Sequence, residues 1–159
     1  MTTTTVTTID APRTDVRAAA GVNDAPLTIG RVFIALIFVS SGVEKFMGLE
    51  ATAAEIAAKL PYPNVLAVLT ASLETVGGLL IIVGWQTRIA ALALALFTVV
   101  AGYFFHDFWH LPEGAKHTDM MIHFMKNVSI FGGFLMLAAV GAGRYSLDGP
   151  CIQHRQFGR

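Results

Sequence analysis

Four long apolar stretches alternate with short polar segments along this chain. The stretches run over residues 28–47, 64–83, 87–106 and 121–142. A helix rises about 1.5 Å per residue, so about 20 mostly apolar residues are needed to cross the hydrocarbon core of a bilayer. The pattern therefore predicts an all-α protein in which four transmembrane helices form an up-down-up-down bundle.

The polar segment between the first two spans has a helical pattern of its own. Ala53, Ile56 and Leu60 recur at helical spacing, and Glu55 and Lys59 stand four residues apart, where they can form an ion pair on one helix. This pattern predicts a short amphipathic helix lying at the membrane interface, ended by the prolines that follow.

Two features predict close packing of the second span. The link to the third span, residues 84–88, is so short that the two spans must form an antiparallel hairpin. Ala67, Ala71 and Thr75 place a small side chain on every turn of one face, which lets a neighbouring helix approach closely.

Composition supports the membrane assignment and excludes several functional classes. The chain is 54% hydrophobic and 14% charged, whereas soluble domains average about 25% charged residues. Zero net charge gives no indication of a nucleic-acid partner. The one cysteine, Cys151, excludes an internal disulfide and a cysteine-ligated iron–sulfur cluster. No nucleotide-binding glycine motif and no haem-ligation pattern is present.

Basic residues predict the orientation. Arg31, Arg88 and Arg144 fall on the same side of the predicted bundle as both termini, and arginine-rich short loops stay in the cytoplasm. We therefore expect these three arginines to act as positive-inside anchors. Residues 1–26 and 150–159 are predicted to be cytoplasmic tails, the first of them disordered, around a membrane domain at 27–149.

Glu74, in the middle of the second span, is the most informative ionisable residue. A carboxylate inside hydrocarbon is costly and commonly functional, so Glu74 is a candidate proton carrier or ligand-binding group. The alternative is a structural role, either as an ion pair with Lys45 or Lys126 or as a protonated carboxyl group hydrogen-bonded to a neighbouring helix. Of the adjacent Glu44 and Lys45, we expect Lys45 to face the bundle centre, because Ser41 lies one turn earlier on its face.

A second polar group lies at the start of the fourth span. His123, Lys126 and Asn127 share one helix face through their i, i+3 and i+4 spacing, and polar faces of membrane helices point inward. A structural hydrogen-bond network is the alternative to function here. His106 and His110 also have the i, i+4 spacing of paired metal ligands, but the set lacks further ligands, so no metal site is assigned.

Several short motifs resemble the DoxX family of small four-helix bacterial inner-membrane proteins. In chain order they are residues 42–46 (GVEKF), 74–78 (ETVGG), 84–88 (GWQTR), 106–109 (HDFW), 124–127 (FMKN) and 141–148 (GAGRYSLD). The family takes its name from small subunits associated with a terminal quinol oxidase and with thiosulfate:quinone oxidoreduction. The resemblance implies that Lys45, Glu74, His106, Lys126 and Asn127 are motif positions.

Three functional hypotheses follow. The first is a membrane subunit of a quinone-linked oxidoreductase or redox-homeostasis complex, with a quinone headgroup near Glu74, His123 and Lys126 and the redox centre on a partner protein. Whether the chain is itself catalytic stays open. The second is a proton-coupled carrier of a lipophilic or weakly acidic solute, for which we expect a homo-oligomer. The third is a structural membrane anchor.

Overall fold

The fold is a bundle of four long helices with one short helix packed at one end. The computed structural model describes residues 24–149, and no strand occurs among them. The helices are α1 (Asp24–Met47), α2 (Leu49–Ala57), α3 (Pro63–Val83), α4 (Thr87–Phe105), a 3-10 turn (Phe108–His110) and α5 (Ala115–Val140). All four long helices are long and apolar enough to cross a membrane, which confirms the predicted all-α architecture.

The helix boundaries follow the predicted spans closely, except at α5. Residues 115–120 extend α5 beyond the apolar stretch, and four of them (116–119) are polar, so apolarity does not reveal the helix there. The two predicted tails lie outside the described residues, apart from residues 24–26, which already belong to α1. The hairpin between α3 and α4 turns through Gly84, at φ 70°, and Gln86, at φ 50°. Gly84 suits this left-handed backbone because it has no Cβ.

α1 and α3 pack face to face through small residues. A Cβ added at Gly42 would lie 2.9 Å from the carbonyl oxygen of Ala71 and would overlap the Thr75 side chain. Gly78 is equally close to α1, since a Cβ there would lie 2.7 Å from Val39. This contact confirms the predicted small-residue face of the second span.

The main hydrophobic core lies where α1, α3, α4 and α5 converge, and Ile81, Leu94 and Phe134 are fully buried there. We call this side of the bundle, with the residue 84–86 turn and residues 141–149, the hairpin end. The opposite side, which carries α2, is the α2 end. Contacts between α1 and α5 are few, and they include Phe38 against Phe134, with ring centroids 5.2 Å apart.

Arg31 joins segments of the hairpin end from inside the bundle, a structural role that its prediction as a positive-inside anchor did not include. It is only 3% exposed. Its guanidinium donates to the carbonyl oxygens of Ala142 at 2.7 Å and Tyr145 at 2.8 Å, with a longer contact of 3.4 Å to Ile82. Positively charged donors satisfy carbonyls that burial would otherwise leave without partners, so Arg31 fixes the segment after α5 against the bundle.

Asp148 fixes the same segment to the start of α4. Its carboxylate accepts hydrogen bonds of 2.9 Å from the backbone N–H groups of Gln86 and Thr87, which have no partner within the helix. Burial raises the pKa of Asp148, but these hydrogen bonds and the nearby Arg31 outweigh burial, so the pKa lies below its ordinary value.

At the α2 end, the predicted short helix is present and packs on α3. Ala53 and Ile56 of α2 are buried against Ala67, and Phe105 of α4 packs beside them. Just beyond α2, the Lys59 ammonium lies 2.7 Å from the Asp107 carboxylate. Lys59 therefore bridges to the segment after α4, whereas the sequence predicted a pair with Glu55.

Candidate functional site

A cavity of about 470 Å³ lies inside the bundle at the α2 end. All five helices contribute to its wall. α1 packs closely on α3, and α4 packs closely on α5. The cavity lies between these two helix pairs, and α2 covers its end. Phe38, which lines the cavity and packs on the buried Phe134, closes it toward the hairpin end. Most of the wall is apolar, so its few polar groups stand out.

The first polar group joins α1 to α3. Glu74 is 2% exposed, and its carboxylate lies 3.1 Å from the ammonium of Lys45. The same ammonium donates to the hydroxyl of Ser41 at 2.6 Å. These contacts confirm that Lys45 points inward and that Ser41 shares its helix face. Glu44 is exposed on the outer face of α1.

The second polar group joins α4 to α5. The rings of His106 and His123 stack with their centroids 5.2 Å apart. The ammonium of Lys126 lies 3.0 Å from Nδ1 of His123, and the Asn127 side chain packs against Gly102. His106, Lys126 and Asn127 line the cavity directly, and His123 lies beside them through its contacts with two of them.

Of the buried side-chain atoms that lack a hydrogen-bond partner within residues 24–149, Nδ1 of His106 is the one that belongs to a residue of the cavity wall. It is a buried polar atom that makes no hydrogen bond within the described chain. A buried imidazole nitrogen without a partner costs free energy.

The structure therefore brings together the six candidate residues, which are Lys45, Glu74, His106, His123, Lys126 and Asn127. It also decides between the pairings that the sequence left open, because Glu74 pairs with Lys45, while Lys126 pairs with His123. The two spans that carry Lys45 and Lys126 thus contribute to separate polar groups.

His106 and His110 do not form a metal site with other residues. His106 lies in the cavity wall, whereas the side chain of His110 is 73% exposed and lies 3.4 Å from Asp107. Among residues 24–149, no cluster of three or more histidine, cysteine, aspartate or glutamate side chains could hold a metal ion.

Other cavity residues escaped the sequence analysis. Thr98 is buried in the wall and donates to the carbonyl oxygen of Leu94 at 2.6 Å. Glu55 and Thr52 of α2 also reach the cavity. A threonine in an apolar helix is an ordinary feature, and the register of α2 over the cavity depends on tertiary packing, so neither gave a distinctive signal.

Comparison with known proteins decides the family. The DoxX family model matches residues 26–107, which is just over half of the chain. The chain belongs to the DoxX family. Glu74 and Lys45 lie within the matched region, as do α2 and all of α4, whereas α5 with His123 and Lys126 lies beyond it.

Two full-length relatives support the same assignment. Inner membrane protein YphA of Escherichia coli (strain K12) is 36% identical over 123 residues, which cover 77% of this chain and 87% of the relative. Inner membrane protein YqjF of the same strain is 35% identical, with 79% and 91% covered.

A more distant match is the Surfeit locus protein 4 homolog of Schizosaccharomyces pombe. It is 30% identical over 70 residues, which cover 43% of this chain and 23% of the relative. No solved structure matches the chain significantly.

Proposed function

We propose that this DoxX-family protein is a membrane subunit of a quinone-linked oxidoreductase and that its cavity binds the quinone headgroup. One observation carries the proposal. An apolar cavity within the membrane bundle is bordered by the buried carboxylate of Glu74, which is paired with Lys45, and by His106, whose buried Nδ1 has no hydrogen-bond partner within residues 24–149. These are features of a site that is completed by a ligand.

The size and lining of the cavity suit a substituted quinone ring. Ligand sites range from about 300 to 1,000 Å³ and combine an apolar wall with a few placed polar groups. The cavity, at about 470 Å³, falls in this range. Phe38, Phe97 and Ile130 in its wall offer apolar contact to a ring.

The polar groups provide donors for the two carbonyl oxygens of a quinone. Lys45 lies on the α1–α3 side of the cavity, and Lys126 and Asn127 lie on the α4–α5 side. Donors on two sides of one cavity match an acceptor at each end of the ring. Hydrogen bonds from charged donors to a ligand are stronger than neutral ones.

Glu74 and His106 are suited to exchange protons with the ligand. Reduction of a quinone to its quinol takes up two electrons and two protons, and the reverse reaction releases them. A carboxyl group and an imidazole can supply or accept the protons. The electrons come from a redox centre on a partner protein, since this chain carries no motif for haem, iron–sulfur or nucleotide binding.

The proposal places the protein in the bacterial inner membrane with both termini in the cytoplasm. The names of the two Escherichia coli relatives support the location. The arginine-rich hairpin end supports the orientation through the positive-inside rule. The cavity and its polar groups then lie in the periplasmic half of the membrane, where a membrane or peripheral redox partner would dock.

Quinone binding to a Glu74→Gln variant tests the proposal. Glutamine keeps an oxygen that can accept from Lys45 but removes the charge and the exchangeable proton. In lipid nanodiscs, we expect the wild type to bind decylubiquinone and Glu74→Gln to bind at least tenfold more weakly. The control is Glu113→Gln, which makes the same change at an exposed loop position and should bind like the wild type.

Equal binding by both variants would contradict the role of Glu74. Flux of a weak acid into proteoliposomes, driven by a pH gradient and lost in Glu74→Gln, would favour the carrier hypothesis instead. Loss of stability in Glu74→Gln without binding or flux in the wild type would favour the structural anchor.

A further inference from the structure

The two ends of the cavity and its sides are closed to different degrees. Toward the hairpin end, Phe38 and Phe134 close the cavity. Toward the α2 end, Thr52, Glu55 and Ile56 of α2 form its wall. Between α1 and α5, by contrast, the helices have few contacts, so an opening in this direction would face lipid and not water.

The contacts between α1 and α5 are concentrated on one side of the cavity. A Cβ at Gly133 would lie 2.8 Å from Cδ1 of Ile34, so the two helices nearly touch there. One turn further toward the α2 end, Ile37 of α1 is 42% exposed although it lines the cavity. On α5, Lys126 is likewise an exposed residue of the cavity wall. The helices thus diverge from a close contact to an open gap.

The α2 end is held shut by apolar packing and one ion pair. Ile56 is 5% exposed against α3 and Phe105. Lys59, directly after α2, is held by Asp107 at 2.7 Å, and Asp107 belongs to the segment after α4. This ion pair joins the link that follows α2 to the segment that follows α4, and it therefore holds α2 over this end of the cavity.

We propose that the cavity opens laterally to the bilayer between α1 and α5, past Ile37 and Lys126, while α2 and the Lys59–Asp107 pair close it to water. The occupant would enter from the membrane and leave an apolar tail in the gap. The lateral opening itself does not depend on the proposed function. The identity of the occupant, a quinone with a long hydrocarbon tail, does rest on it.

The route can be measured without any quinone. In a Cys151→Ser background, Ser41→Cys places a thiol in the cavity wall next to the Lys45 ammonium, which favours the reactive thiolate. Proteins in nanodiscs are treated with apolar benzyl methanethiosulfonate or with charged, water-soluble sulfonatoethyl methanethiosulfonate. Thr118→Cys, at an exposed position near the start of α5, gives the reference rates.

For each thiol, we divide the rate with the apolar reagent by the rate with the charged reagent. We expect this ratio to be at least tenfold higher for the cavity thiol than for the reference thiol. A fast reaction with the charged reagent would show that the mouth is open to water. A slow reaction with both reagents would show that no lateral opening exists. Either result overturns the proposal. Lys59→Met should raise the rate of the charged reagent several-fold and leave the apolar rate unchanged, and an unchanged charged rate would contradict the closing role of this pair.

A matched pair of variants locates the gap. Ile37→Trp fills the space between α1 and α5, whereas Val100→Trp fills the cavity rim on α4, and both residues line the cavity at 42% exposure. We expect Ile37→Trp to slow the apolar reagent at least tenfold and Val100→Trp to slow it less than twofold. Equal slowing by both, or slowing by Val100→Trp alone, would exclude the α1–α5 gap.

The tail is tested separately from the headgroup. Wild type should bind decylubiquinone more tightly than tail-less ubiquinone-0, and Ile37→Trp should remove this preference while keeping ubiquinone-0 binding. Unchanged preference in Ile37→Trp overturns the tail assignment. If neither quinone binds the wild type but the thiol pattern is as expected, the proposed function fails and the lateral opening stands.

Discussion

The two ends of this bundle use buried polar groups in opposite ways. At the hairpin end, the Nη atoms of Arg31 and the carboxylate of Asp148 bond to backbone groups, and each of these hydrogen bonds holds one segment of the chain against another. At the α2 end, the Glu74–Lys45 pair and His106 line a cavity, and Nδ1 of His106 makes no hydrogen bond with the part of the chain that the structure describes. The polar groups of the first end join segments of the chain, whereas those of the second end line a cavity, where we propose that they meet a ligand.

The two ends also differ in how closely their segments pack. Small residues at the hairpin end let helices and loops touch, as where a Cβ at Gly84 would lie 2.5 Å from the guanidinium of Arg31. At the α2 end, the helix pairs separate and leave about 470 Å³ between them. Close packing at one end thus contrasts with a cavity at the other, and we expect variants to separate stability from binding.

Arg31→Met should have the largest effect on stability. The substitution leaves the buried carbonyl groups of Ala142 and Tyr145 without donors, and we expect a loss of about 3 kcal/mol in the free energy of unfolding. Thermal or denaturant unfolding in detergent measures this loss. Arg88→Met, at an exposed arginine of the same end, should cost less than about 1 kcal/mol. Equal losses would show that Arg31 is only a surface anchor.

Gly42→Ala should have the next largest effect, because it forces α1 and α3 apart. Its Cβ would lie 2.7 Å from the backbone nitrogen of Thr75, which cannot move aside as a flexible side chain can. We expect a loss of about 2 kcal/mol on unfolding. Gly132→Ala is the control, since nothing lies within 4 Å of its Cβ, and it should be neutral or slightly stabilising. A neutral Gly42→Ala would contradict the close α1–α3 contact.

Asp148→Asn should cost about 1 kcal/mol at neutral pH, because the amide replaces a charged acceptor at the start of α4. The folded pKa of Asp148 is below its ordinary value. Its stabilising contribution is therefore present above the ordinary pKa and is lost as the pH falls through the folded pKa. Melting temperatures measured from pH 7 to pH 3 should show the gap between wild type and Asp148→Asn closing below about pH 4. A constant gap would contradict the assignment.

Lys126→Met should have the smallest effect on stability and a large effect on binding. Its ammonium contacts His123 but bridges no other helix, so we expect a change under about 0.5 kcal/mol on unfolding. Decylubiquinone binding should weaken about tenfold, which corresponds to about 1.4 kcal/mol. Lys116→Met, at an exposed lysine of the same helix, should change neither quantity. A loss of stability without a loss of binding would assign Lys126 to the scaffold.

Sequence reasoning predicted the fold because apolar length alone specifies the four spans, and the small residues Ala67, Ala71 and Thr75 specify one close contact. It also predicted the inward direction of Lys45 from Ser41, which shares its helix face. Both inferences depend on residues close together in the sequence, where helical geometry is known in advance.

Contacts between segments that are distant in the sequence could not be predicted. Arg31 and Ala142 are 111 residues apart, and an arginine at the start of a span has the pattern of an anchor whether or not a loop covers it. Lys59 and Asp107 are 48 residues apart, and the local pattern favoured Glu55 as the partner. The choice between Lys45 and Lys126 as the partner of Glu74 likewise required the helix arrangement.

The most direct test of the account is native mass spectrometry of the protein isolated at natural abundance in a mild detergent. We predict one bound quinone per chain in the wild type and in Glu113→Gln, its loss in Glu74→Gln, and a co-purifying redox protein. A wild-type protein that carries no quinone, or a Glu74→Gln variant that carries as much as the wild type, would contradict the assignment of the cavity as a quinone site.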